Sequence, residues 1–226
     1  MTAQNRIEVF GRRNASNVLP VMWTVGELEI PYIRHDTGGS FGGTRTPEYL
    51  AMNPNGRIPT LRDGDFVLWE SNAIVRYLCR RYDGQGALLP RSEEEYALAD
   101  QWMDWHKTTL YPPYIDLTWA LVRTEPAVRD RRKIAELQAQ TETRLAILDK
   151  HLARTGHVVD DRFTMADIPF GALVYRYLNL EIERPAFPQI ASWYVRLSER
   201  PAFIEHVMFP FGNDPGEWYR LERETP

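Results

Sequence analysis

The chain has 226 residues, 43% of them hydrophobic and 26% charged, with a formal net charge of -4. That balance belongs to a soluble protein of one domain or two small ones and excludes a disordered or fibrous chain. It also excludes nucleic acid as the main partner, because phosphate binding draws its affinity from a basic surface.

Cys79 is the single cysteine, so no internal disulfide can form and a reduced compartment, the cytoplasm, is expected. The N-terminal MTAQNRIEVF carries no apolar stretch of signal-peptide length, and no later segment reaches the roughly 18 apolar residues that span a bilayer. Neither export nor membrane insertion is expected.

Residues 6–10 (RIEVF) alternate and stop at Gly11, the pattern of a short strand. From Val18 the apolar residues Val18, Val21, Met22, Val25 and Leu28 recur at helical spacing, with Ser16 or Asn17 placed to cap the helix. PYIRHD reads as a second strand. The glycine-rich TGGSFGG after it is too short and irregular for a phosphate loop and reads as a mobile surface loop. A short helix is expected near residues 46–51. Next, RIPTL and FVLW flank Asp63-Gly64, a pair suited to a tight antiparallel hairpin. Ser71 opens a helix whose buried face is Ile74, Val75, Leu78, Cys79 and Tyr82. The order is β-α-β-α-β-β-α.

Strand signals nearly vanish after the connector GQGALLPRS. The expected division is a domain over residues 1–84, a linker over 85–92 and an all-helical domain over 93–226. Two long helices are expected at 93–120 and 127–154, the second with a stripe of Ile134, Leu137, Thr141, Leu145, Leu148 and Leu152. The basic run RDRRK at 129–133 reads as a solvated face. In FTMAD, Thr164 and Asp167 fit a capping box, which predicts a helix from Met165 with a bend at Pro169. Ile190, Trp193, Tyr194 and Leu197 define a further helix. The final FPFGNDPGEWYRLERETP has no period and is expected to pack over the helical domain as an irregular tail.

Two places carry chemistry. Pro59 opens the third strand, and a cis Ile58-Pro59 bond would turn the amide and carbonyl of Ile58 outward, to pair with an extended peptide as an added strand does. Glu70-Ser71 stand at a helix start, where free amides and the macrodipole receive a carboxylate. The Ser71 hydroxyl adds a donor, and Glu70 accepts an ammonium group. A γ-glutamyl headgroup carries that pair of charges. His35, His151, His157 and His206 occur singly without ligand spacing, so no metal is expected. Cys79 reads as a structural thiol on a buried face.

NPNGRIPTLRDGDFVLWESNAIVRYL resembles the glutathione-binding signature of cytosolic glutathione transferases. GRRNASNV, WMDW and FTMADI extend the likeness over most of the chain, toward a bacterial group with an N-terminal GR-x-x-S-x-NV motif. The resemblance implies an α+β fold, a thioredoxin-like N-terminal domain followed by an all-α helical bundle, with glutathione as cosubstrate. It implies that Ile58-Pro59 is cis and holds the cysteinyl part, that Glu70 and Ser71 bind the γ-glutamyl group, and that Arg57 lies near the glycyl end. Asp104 matches a position from which the partner subunit of a homodimer reaches the same ammonium.

In this family a hydroxyl or a cysteine at the first strand-helix junction faces the sulfur. Here the junction reads Asn14-Ala15-Ser16-Asn17, and the expected serine falls on Ala15, which leaves Ser16, Asn17 and Asn14 as candidate donors. On the first long helix of the second domain Trp102, Met103, Trp105, His106 and Tyr111 cluster, which by residue type means core or interface. The resemblance makes Trp105, His106 and Tyr111 the wall of the electrophile pocket. The implied activity is transfer of the glutathione thiol to a small electrophile by conjugation, dehalogenation or peroxide reduction. Two alternatives stand beside it: a glutathione-dependent disulfide-bond reductase, and a non-catalytic ligand carrier or assembly module on the same fold.

Overall fold

A computed structural model of the chain describes residues 6–224. Met1–Asn5, part of the segment read for a leader, and Thr225–Pro226, the end of the tail, lie outside the described residues. The chain begins β1 (Ile7–Phe10), α1 (Leu19–Glu27), β2 (Tyr32–His35), α2 (Pro47–Met52), β3 (Thr60–Asp63), β4 (Phe66–Trp69) and α3 (Ser71–Tyr82), the expected order. The strands form one sheet ordered β2-β1-β3-β4. β1 runs parallel to β2 and antiparallel to β3, which pairs antiparallel with β4. Asp63 pairs with Phe66, so the tight turn is Gly64-Asp65, one residue later than expected, and Gly64 takes the positive φ of 60°.

Helices follow: α4 (Glu93–Trp105), a π-helical segment (His106–Leu110), α5 (Tyr111–Val122), α6 (Arg131–Thr155), α7 (Asp167–Leu178), α8 (Pro188–Ser198), α9 (Pro201–His206) and α10 (Pro215–Glu224). The expected helix over 93–120 is thus a continuous run widened in its middle, and such π segments cluster at functional sites. α6 buries the predicted stripe from Leu137 to Leu152. The architecture is a thioredoxin-like sheet domain followed by a helical domain. Among the described residues no helix is long and apolar enough to cross a membrane.

Several local expectations are corrected. α1 starts at Leu19 after Val18 and has no side-chain cap, so neither Ser16 nor Asn17 spends its side chain there. α7 starts at Asp167, not Met165. Pro169 therefore lies in the first turn, where an amide has no intrahelical partner to lose, and the reason for a bend disappears. The Thr164–Asp167 pairing itself forms, with the Thr164 amide donating to Asp167 Oδ2 at 2.9 Å. The glycine-rich stretch is tied down: Gly39–Phe41 form a 3-10 turn, and the Ser40 amide donates to Glu222 Oε2 at 2.8 Å. The tail is not irregular but forms α10, started by Asp214 Oδ1 accepting from the Glu217 amide at 2.9 Å. The basic run at 129–133 is also only partly a helix face. Asp130 caps α6 by accepting from the Lys133 amide at 3.0 Å, while the Arg129 guanidinium donates to the Asn213 carbonyl at 2.5 Å.

α1 is the seam between the two halves. Buried Trp23 contributes to the core of the helical domain, whereas Val21, Met22 and Val25 face the sheet core. A side chain at Gly171 on α7 would meet the Trp23 ring at 2.7 Å, so only glycine allows these helices to close. The same edge is bolted by Arg200, whose guanidinium donates to both oxygens of Glu27 at 2.7 and 2.6 Å. This packing fixes the first strand-helix junction against the α4–α5 run and creates the groove between them.

Candidate functional site

The groove has two adjoining parts. One, of about 710 Å³, is lined by Ile58, Pro59, Glu70, Ser71 and Lys107 among others. The second, of about 340 Å³, is lined by Arg12, Ala15, Ser16, Gly38 and Arg123 among others. Asn17, Arg57, Ile58, Tyr111, Ile115 and Trp119 border both, which makes them one continuous site.

Its floor is the stretch ahead of β3. The Ile58-Pro59 bond is cis. Two side chains hold the carbonyl of Arg57: the Tyr49 hydroxyl donates to it at 2.6 Å and Asn53 Nδ2 at 2.9 Å. Both also reach Thr60 Oγ1, at 2.9 and 3.1 Å. Among the described residues neither the amide nor the carbonyl of Ile58 takes part in a turn, loop or cap hydrogen bond. That leaves a donor and an acceptor at the groove for an extended ligand.

At one end stand Glu70 and Ser71. Glu70 has φ 73°, a conformation that costs a non-glycine residue on the order of 1–3 kcal/mol and gathers at functional sites. Ser71 is buried and begins α3, whose first turn has no side-chain cap and no acidic residue. Its leading amides and the positive end of its dipole are therefore available to a carboxylate. Lys107, whose ammonium is pushed below its ordinary value first by burial and then by Arg57, feels the opposing attraction of Glu70. The headgroup end thus combines acceptor, donor and cation.

The junction after β1 separates the three candidate donors. Ser16 Oγ accepts from Arg176 Nη1 at 3.2 Å and borders the smaller part of the groove. Asn17 Oδ1 accepts from Lys107 Nζ at 3.0 Å, which turns the Asn17 amide so that Nδ2 is its remaining polar atom. Asn14 is 1% exposed and lies behind the junction, off the groove; its carbonyl accepts from Arg176 Nη2, and among the described residues its side-chain amide has no hydrogen-bond partner. Ala15 is buried and lines the smaller part.

The helical-domain candidates divide in the same way. Tyr111 borders both parts of the groove, and its phenol is pushed up chiefly by burial, with Ser16 among its hydrogen-bonding neighbours. Trp105 is elsewhere: its ring stacks on Phe170 at 6.2 Å and meets Trp102 edge-on at 5.3 Å. That places it with the helical core and away from the groove wall. His106 is 4% exposed and packs against Phe170 at 4.9 Å. Burial, then the Lys107 cation, lowers its pKa to about 3. Asp104 lines neither part of the groove; it is exposed and pairs with Arg76 at 2.7 Å. Burial likewise pushes the Cys79 thiol up, which keeps it inert.

Basic residues that the sequence pattern does not single out gather at the other end. Arg12 is 8% exposed and ion-paired with buried Glu222 of α10. Arg176 is buried behind Ser16, and Arg123 lies over the Trp218 ring at 4.4 Å. A D-P-x-E start, Asp214 to Glu217, was the available signal for α10. The pairings themselves join residues far apart in the chain and leave no local pattern. Among the described residues no group of three or more His, Cys, Asp or Glu could hold a metal ion.

Comparison with known proteins agrees with this geometry. The family model for the glutathione S-transferase N-terminal domain matches residues 5–80, and that for the C-terminal domain matches residues 98–201. Glutathione S-transferase GstB of Escherichia coli is 40% identical over 206 residues, covering 90% of this chain and 99% of that protein. Glutathione S-transferase F9 of Arabidopsis thaliana is 30% identical over 74% of this chain and 80% of its own. The crystal structure of a theta class glutathione S-transferase from Xanthomonas axonopodis pv. citri with glutathione bound superposes with a TM-score of 0.88. It is 45% identical and covers 92% of this chain and 100% of that one.

Proposed function

The chain belongs to the glutathione S-transferase family, and from that premise we propose that it holds glutathione along Ile58-Pro59 and Glu70-Ser71 and activates its thiol at Ser16. In this reading the γ-glutamyl carboxylate meets Ser71 and the amides opening α3, and Glu70 accepts from the ammonium. The cysteinyl backbone pairs with Ile58, and Arg57 attends the glycyl carboxylate. The observation that carries the reading is the groove itself, which has unpaired Ile58 backbone groups beside an uncapped, partnerless helix start. The residues present fit a tripeptide with two carboxylates and one ammonium.

Chemistry then follows from one proton. A thiol with pKa near 8.5 must fall by about two units to ionise near neutrality, worth roughly 2.7 kcal/mol. A hydrogen bond to a charged acceptor supplies on the order of 1.5–3 kcal/mol. Ser16 suits that task because Arg176 donates to its oxygen, which polarises the hydroxyl and strengthens it as a donor. Asn17 Nδ2 offers a second donor, its orientation fixed by Lys107. Asn14, behind the junction, supports the loop. The thiolate attacks the electrophilic carbon, a carbon–sulfur bond forms, and the leaving group departs with its electron pair; holding both partners in one groove supplies the proximity.

The same reading makes the protein a cytoplasmic homodimer of the bacterial group with the GR-x-x-S-x-NV motif, with domains at 1–84 and 93–226. In this reading exposed Asp104 and its Arg76 partner belong to the face that meets the second subunit. Tyr111 forms the wall of the electrophile end. Calorimetric titration with glutathione tests the whole: saturable binding that weakens on Ser71→Ala supports it, and no saturable binding leaves a ligand-carrier role in its place.

A further inference from the structure

The smaller part of the groove, where the electrophile meets the thiol, is unusually basic. Its lining contains Arg12, Arg57 and Arg123, and no aspartate or glutamate among the described residues. Arg12 has its counter-ion: Glu222 pairs with it and also accepts from the Ser40 amide. Arg57 is exposed at the rim. Arg123 is different. It follows the last turn of α5, half-buried, and among the described residues its one hydrogen bond is from the backbone amide to the Trp119 carbonyl at 3.0 Å.

Its guanidinium lies between two indoles, 4.4 Å from the Trp218 ring and 5.2 Å from the Trp119 ring. Stacking of that kind holds the plane of the fork but leaves its N–H donors unspent. Among the described residues Nε is buried with no hydrogen-bond partner, and no carboxylate lies within 4.0 Å of the group. The neighbouring cation Arg12 raises the cost of leaving it so, since two partly desolvated guanidiniums share one carboxylate. A half-buried, oriented fork with no carboxylate within 4.0 Å among the described residues, at the wall of a cleft, matches a carboxylate in charge and in geometry.

We propose that Arg123 is the seat for a carboxylate carried by the electrophile, so that this enzyme selects anionic over neutral substrates. The proposal rests on the groove being the glutathione site, with the electrophile between Ser16 and Arg123. Arg123 would then determine specificity without touching the sulfur. The indoles of Trp119 and Trp218 clamp it, and α10 is the element that carries Trp218 into place.

The test uses product analogues, so it does not depend on finding the substrate. Calorimetry on the full-length protein compares S-carboxyalkyl glutathiones of one to three methylenes with the matching carboxamides, which share size and sulfur. At one length or more the carboxylate is expected to bind at least about tenfold more tightly, the worth of a charge-assisted bond. Arg123→Gln is expected to erase that advantage while leaving the affinity for glutathione itself unchanged. No carboxylate preference at any length in the unaltered protein overturns the proposal, and that comparison needs no variant to fold. A preference that survives Arg123→Gln also overturns it. So does a matching loss of glutathione affinity in the variant, which would assign Arg123 to the glycyl carboxylate. Failure of the unaltered protein to bind glutathione at all would instead sink the site assignment on which the proposal rests.

Discussion

Arg176 Nη1 donates to Ser16 Oγ at 3.2 Å, across the seam between the helical domain and the first strand-helix junction. This contact gives Ser16 a different environment from an ordinary surface serine, because a buried guanidinium occupies one lone pair and leaves the O–H to donate. Ser16→Ala is therefore expected to raise the apparent pKa of bound thiol by about 1–2 units, from a lost bond of about 1.5–3 kcal/mol. The pH dependence of kcat/KM reads this directly. An unmoved profile would transfer the role to Asn17.

Ser71→Ala should separate binding from activation. Ser71 opens α3 at the headgroup end of the groove, so its loss removes a donor to the γ-glutamyl carboxylate. A fall in glutathione affinity of about tenfold is expected, with the bound thiol's pKa unaltered. A shift in that pKa as large as the one from Ser16→Ala would contradict the separation.

The helical domain depends on one carboxylate. Asp167, fully buried, accepts from the Thr164 amide at 2.9 Å, the Val158 amide at 3.1 Å and Trp193 Nε1 at 2.8 Å. Asp167→Ala orphans three buried donors, each costing on the order of 1–3 kcal/mol. Denaturant unfolding is expected to show a loss of at least about 3 kcal/mol. A change below about 1 kcal/mol would mean that the donors find other partners.

His106 should make stability fall in mild acid. Its folded pKa, lowered to about 3 by burial, lies below the ordinary 6.5 of the unfolded chain. The unfolded state therefore binds the extra proton first, and stability drops as pH falls through about 6.5 toward 3. At about pH 5 the penalty is roughly 2 kcal/mol. Urea unfolding of the unaltered protein and of His106→Leu at both ends of that window tests it: the variant's slope with pH should be shallower, and parallel slopes would exclude His106 as the cause.

How much of this was legible before folding depended on sequence distance. Glu70-Ser71 and Ile58-Pro59 are adjacent pairs at element starts, so turn and helix signals exposed them. The α7 start was misplaced by two residues because Thr164 and Asp167 pair as a box while the helix itself begins at its far end. α10 escapes a reading by period in the tail, although its Asp214 start stands in the sequence. Trp105 and Tyr111 shared an aromatic cluster that composition could not divide; the π segment between them rotates one into the core and the other to the groove. The Arg12–Glu222 and Ser16–Arg176 contacts join the two ends of the chain and have no sequence signature.

The central claim is that this groove binds glutathione and acidifies its thiol. A pH titration of the ultraviolet thiolate absorbance of glutathione bound to the unaltered protein tests it most directly. An apparent pKa about two units below the free-thiol value near 8.5 is predicted. A bound thiol that titrates at or above the free value would contradict it.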